Sequence, residues 1–139
     1  MRILLPGILL IYTSITDIKE RTISGVALIL FTVAGLICLC LGRNLNPVDS
    51  ICGALIGLSL ALVSFCTNGE LGMGDALLLL VTGIFLGFER NLTLLLLALM
   101  LSSLFSVYLL IREKNVKKEY PFVPFLFISY VMMFIFKLE

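Results

Sequence analysis

Two aspartates, Asp17 and Asp75, border long apolar runs in a chain that carries few other charges. Asp75 follows the turn-prone segment Gly72-Met73-Gly74 and leads directly into Ala76-Leu77-Leu78-Leu79-Leu80. Asp17 closes the first apolar run and opens the segment Asp17-Ile18-Lys19-Glu20-Arg21-Thr22-Ile23. Two carboxylates placed close together share one proton, because both cannot ionise cheaply at once. The charged member then takes a proton from water and the protonated member polarises a carbonyl, the division of labour of an acid–base pair acting on an amide. Each residue also has a plainer reading. Asp75 could be a helix cap, since Asp is favoured there, and Asp17 a solvated charge at a helix end.

The sequence around them is that of a membrane protein. Of 139 residues, 60% are hydrophobic and only 14% charged, against about a quarter charged in soluble domains. Mean hydropathy is +1.16. Apolar stretches fall at about 2–16, 23–41, 48–66, 76–88, 92–111 and 121–136. A helix crosses the bilayer core in roughly 20 residues. The second and fifth stretches meet that length, whereas the first, fourth and sixth must borrow flanking polar residues. Asp17 then falls about a turn inside the end of the first helix, and Asp75 inside the first turn of the fourth.

The expected architecture is a single all-α domain over residues 1–139, a polytopic membrane protein of about six transmembrane helices. Six spans put the Asp17, Asp75 and 112–120 loops on one side. That side carries Lys19, Arg21, Arg112, Lys114, Lys117 and Lys118, against Arg2, Arg43, Arg90 and Lys137 on the other. The positive-inside rule places the aspartates at the cytoplasmic face and both termini outside. The first apolar run lacks a small-residue cleavage site and reads as an uncleaved span.

Several classes are disfavoured. The net charge of +1 shows no basic patch for nucleic acid. There is no histidine, and Cys38, Cys40, Cys52 and Cys66 form no C-x-x-C pair, so neither a zinc site nor another cofactor is expected. Gly53-x-x-x-Gly57 and Gly83-x-x-x-Gly87 have the spacing that lets membrane helices approach closely.

Asp17 with Arg21 and Ile23, then Gly72-Met73-Gly74-Asp75, then Pro121-Phe122-Val123-Pro124-Phe125-Leu126 together resemble the prepilin peptidase family, membrane aspartic proteases of the Gly-x-Gly-Asp type. The three signatures occur in the family's order and cover nearly the whole chain. The resemblance implies catalytic aspartates at Asp17 and Asp75, support from Gly72 and Gly74, and a substrate groove near Pro121, Phe122 and Pro124. It implies cleavage of the short basic leader from type IV pilin-like precursors at the inner face of the bacterial cytoplasmic membrane. Ser24, Leu77 and Val123 stand where many members have proline, lysine and glycine. These departures bear on substrate positioning and leave both carboxylates in place. No paired-cysteine region precedes Asp17, so the likeness is to the minimal, peptidase-only members, for which cleavage without methyl transfer is expected.

Other polar residues carry less. Glu70 could assist Asp75 or meet a substrate charge, and Lys19, Glu20 and Arg21 could orient a leader or simply set topology. Two readings from other classes stay open. One is a small proton- or ion-coupled transport subunit using the same carboxylates. The other is a non-catalytic membrane protein of pilus assembly.

Overall fold

The computed structural model describes residues 4–20, 25–40, 46–67, 72–113 and 122–136. Among them lie six helices: α1 (Leu4–Glu20), α2 (Gly25–Cys40), α3 (Pro47–Cys66), α4 (Met73–Leu86), α5 (Phe88–Glu113) and α6 (Val123–Ile135). Each falls on one of the six apolar stretches. Two of them, Pro47–Cys66 and Phe88–Arg112, are long and apolar enough to cross a membrane by length and composition. The other four are shorter apolar helices. At 1.5 Å per residue, α4 and α6 rise only about 20 Å.

The shortest apolar runs form the most enclosed helices. α4 packs against α1, α2, α3 and α5, and every residue from Val81 to Gly87 is buried. A helix that is apolar all round has no polar face to turn outward and takes the central place. Leu9 and Leu10 of α1, Leu78 and Phe85 of α4, Leu94 of α5, and Leu126 of α6 belong to one continuous core.

The tightest pairing, α3 on α4, is made by glycines. A Cβ on Gly57 would run into the backbone of Leu80, and one on Gly83 into the backbone of Gly53. The small-residue spacing read from the sequence thus serves close helix packing, as expected of such stripes.

The turn between α4 and α5 is a single residue. Gly87 takes φ 83°, a conformation glycine adopts without steric penalty. The first N–H of α5, on Phe88, donates to Asp49 Oδ1 at 2.9 Å. The polar trio Glu89-Arg90-Asn91, which separates two apolar stretches in the sequence, lies inside the first turn of α5. Asn91 is fully buried. Its Nδ2 donates to the carbonyls of Gly53 at 3.1 Å and Leu79 at 3.0 Å, and its Oδ1 accepts from the Thr82 hydroxyl at 2.9 Å. One amide thereby ties α3, α4 and α5 together, with its polar atoms satisfied away from water.

Beyond Ala98, α5 has no fully buried residue among those described. It is held there against α6, with the Phe105 and Phe125 rings 5.3 Å apart.

Candidate active site

Asp17 lies in the last turn of α1, one turn before its end at Glu20. It is buried, with 8% of its surface exposed. Its Oδ2 accepts the backbone N–H of Val123 at 3.3 Å, across 106 residues of sequence. Val123 is the first residue of α6. The opening N–H groups of a helix have no partner within it, and the dipole there favours negative charge. The bond is long for its type, but it fixes the end of α1 to the start of α6. It is made by the backbone, so a valine side chain in place of glycine at this position leaves it intact. That side chain is itself fully buried in the core.

Asp75 lies in the first turn of α4, two residues after the helix begins at Met73. The cap position falls to Gly72, without a side-chain cap hydrogen bond, so Asp75 is not the helix cap. The carboxylate folds back over Gly72: a Cβ there would stand 2.7 Å from Asp75 Oδ2 and 3.3 Å from its Cγ. Glycine at 72 is what leaves room for this orientation. Gly74, the second residue of α4, is partly buried.

α1 packs against both α4 and α6. The two aspartates thereby lie at one end of the bundle, Asp17 on the Val123 N–H and Asp75 in the wall of a cavity shared with Phe122. Both carboxylates stand at the positive end of a helix, Asp75 on α4 and Asp17 against α6. Phe122, the residue before Val123, lines a cavity whose wall also includes Asp75 and Gly72. Pro124 is the second residue of α6, where the missing N–H of proline costs little.

A larger cavity of about 850 Å³ lies at the other end of the bundle, bordered by Asp49, Cys52 and Phe88. It contains neither aspartate of the pair. Pro121, Glu70 and Arg21 lie outside the described residues, as do the side chains of Lys19 and Glu20 and the segment 114–120. Arg112, at the end of α5, is exposed and donates to the Tyr108 hydroxyl at 3.1 Å. Among the described residues no three His, Cys, Asp or Glu side chains gather in a way that could hold a metal ion.

Two contributors escape sequence reading. The Val123 N–H is a backbone donor that no residue letter announces. Asn91 looks like part of an interhelical loop until its helix is known to start at Phe88. A polar amide one turn after a helix-breaking glycine is the sequence signal that could have found it.

Two carboxylates at one end of the bundle, one held by a helix N-terminus and the other facing an apolar cavity, suit general acid–base attack on a neutral polar bond. Against known proteins, the model of the type IV leader peptidase family matches residues 4–111, a span that contains both aspartates. No curated protein and no solved structure matches the chain.

Proposed function

The chain belongs to the type IV leader peptidase family, and from that premise we propose that it is an aspartic endopeptidase with Asp17 and Asp75 as its catalytic pair. Its substrate is a type IV pilin-like precursor, from which it removes the short basic leader. It works in the bacterial cytoplasmic membrane, with six spanning helices and the aspartate end facing the cytoplasm.

The observation that carries this reading is that Asp17, which accepts the Val123 N–H, and Asp75, which shares a cavity wall with the adjoining Phe122, lie at one end of the bundle. The ionised carboxylate takes a proton from water as the water oxygen attacks the scissile carbonyl. The protonated carboxylate hydrogen-bonds the carbonyl oxygen, which becomes the hydroxyl of a tetrahedral intermediate. Collapse of the intermediate breaks the C–N bond, and a carboxylic acid gives its proton to the leaving amine. A proton carrier would be expected to hold its carboxylates near mid-bilayer, in broken helices. Here they sit in the last turn of α1 and the first turn of α4, within reach of the membrane surface.

Co-expression with a pilin precursor tests the reading: loss of the leader should appear as a mobility shift and a new N-terminus by mass spectrometry. A precursor panel left uncut by protein that accumulates in the membrane would defeat it. Topology is tested separately, in a background without the four native cysteines. Asn46→Cys lies before α3 at the far end, and Thr67→Cys follows α3 at the aspartate end. An impermeant thiol reagent should label the first in intact cells and the second only after lysis. The reverse pattern would put the aspartates outside.

Gly72 gives a finer test. A methyl group there must push the Asp75 carboxylate aside, and a displacement of about 1 Å at a reacting group costs up to about 10²-fold. Gly72→Ala should therefore lower turnover about 10- to 10²-fold while the protein accumulates normally. Turnover at the wild-type level would show that the orientation of Asp75 does not matter.

A further inference from the structure

The larger cavity, at the end of the bundle away from Asp17 and Asp75, has no part in the reaction. It holds about 850 Å³. Its wall runs along α3 from Asn46, just before the helix, to Ser59, and Phe88 and Glu89 of α5 border it as well. At 1.5 Å per residue, the thirteen steps from Asn46 to Ser59 make a groove about 20 Å long. One leaflet of the hydrocarbon core is about 15 Å deep. The groove therefore covers a leaflet together with its headgroup level. Val48 and Leu55 on its wall are exposed, so it opens sideways toward the surrounding lipid.

The chemistry of the wall changes along this length. Asn46, Asp49 and Glu89 stand where α3 and α5 begin, and Cys52, Leu55 and Ile56 follow below them. Ser59, at the deep end, keeps its hydroxyl on the Ile56 carbonyl at 2.8 Å. Both charged side chains on the wall are acids. Asp49 is held in place because its Oδ1 accepts the Phe88 N–H at 2.9 Å, and Glu89 is the next residue along α5. The first helical hydrogen bond of α3 is made by Ser50 to Asn46, so the Val48 N–H has no partner inside the helix. A helix start also favours negative charge. Carboxylates for a cation and a helix start for an anion thus stand together above an apolar groove.

We propose that this groove is a site for one phospholipid whose headgroup ends in a primary ammonium, as in phosphatidylethanolamine. The ammonium donates to Asp49 and Glu89, the phosphate lies at the start of α3, and one acyl chain runs past Leu55 to Ser59. The proposal rests on the membrane placement of the helices and is independent of the peptidase chemistry. Hydrogen bonds between an ammonium and a carboxylate are stronger than neutral ones. A glycerol headgroup brings its phosphate charge to two carboxylates with no cation to offset it, a juxtaposition that disfavours the wrong partner. Choline carries the cation without an N–H donor and should fall between the two.

The experiment incubates the full-length protein in detergent with equal amounts of phosphatidylethanolamine, phosphatidylcholine and phosphatidylglycerol of the same acyl chains. Native mass spectrometry then counts the lipids that stay bound. A hydrogen bond to a charged group is worth about 10-fold or more in affinity. The wild type should therefore retain one phosphatidylethanolamine in preference to phosphatidylglycerol by at least about 10-fold. Glu89→Gln and Asp49→Asn should each lower that ratio several-fold, and the double variant should bring it close to one. Asparagine at 49 keeps an acceptor for the Phe88 N–H, and Glu89 is exposed, so both variants should fold. Leu55→Trp fills the apolar part of the groove and should reduce the bound lipid whatever its headgroup. Equal retention of the three lipids by the wild type would mean unselective boundary lipid and overturn the site. A preference that survives in the double variant would place the lipid elsewhere and overturn it too. A membrane protein that copurifies in equal amount, blocks lipid uptake and is lost from the double variant would give the groove to a partner helix instead.

Discussion

Asp17→Asn and Asp75→Asn should each reduce cleavage by about 10²- to 10⁴-fold, the range that a general acid or base contributes. Asparagine keeps the size of the side chain and an acceptor oxygen. In Asp17→Asn the amide oxygen would still accept the Val123 N–H that the carboxylate accepts in the wild type. The amide cannot take up or share a proton, which is the property the mechanism requires. Both proteins should therefore insert and accumulate as the wild type does. The double variant should be little worse than either single one, because members of one catalytic unit are non-additive. Additive losses would mean that the two residues act in separate steps. A single variant that cleaves at nearly the wild-type rate would remove that aspartate from the mechanism. Asp17 would then be a side chain that ties α1 to α6, and Asp75 a charge favoured by the start of α4. Chelators should leave the wild type active, since the proposed step uses water and two carboxylates alone. Inhibition reversed by added metal would contradict it.

The helices were legible because apolar run length is a direct physical requirement of an apolar environment, and each of the six runs yields one helix. The positions of Asp17 and Asp75 were legible for the same reason. Short runs force their neighbours into the helix, which puts Asp17 in a last turn and Asp75 in a first turn. The boundary between α4 and α5 was not. Glu89, Arg90 and Asn91 are three polar residues in a row and look like a loop, yet Gly87 alone makes the turn. A positive φ at one glycine and a carboxylate from α3 on the next N–H decide the matter, and both depend on tertiary neighbours. The cap reading of Asp75 illustrates the same limit. Residue type favours it, but the glycine three positions earlier takes the cap and leaves the carboxylate turned toward the cavity. The family resemblance identified the Pro-Phe-x-Pro segment, but neither the hydrogen bond to Asp17 nor the cavity wall could be read from its letters.

The steepest structural effect should come from Gly57→Leu, at a position far from the carboxylates in sequence. Glycine inside a helix costs about 1 kcal/mol relative to alanine, so Gly53, Gly57 and Gly83 together weaken their helices by about 3 kcal/mol. That cost is offset only if the absence of side chains is used. At Gly57 it is used fully, because the backbone of Leu80 occupies the place of a Cβ. No rotamer change relieves a clash with backbone, so α3 and α4 must separate. Overpacking that side chains can absorb costs about 1–3 kcal/mol, and separating two helices should cost more. It would also strip Asn91 of its bond to the Gly53 carbonyl, since that bond spans from α5 to α3. α4 carries Asp75, and the cavity wall includes Leu60 of α3 and Leu79 of α4, so the aspartate end of the bundle moves with the helix. Gly57→Leu should therefore lose both thermal stability in detergent and cleavage. Gly35→Ala should do much less, because its Cβ would meet only side-chain atoms, Ile84 Cγ2 at 3.0 Å and the Phe85 ring at 3.2 Å. Gly25→Ala, with nothing within 4 Å, should be neutral or slightly stabilising. A Gly57→Leu protein that melts and cleaves like the wild type would mean that α3 and α4 do not pack through their backbones.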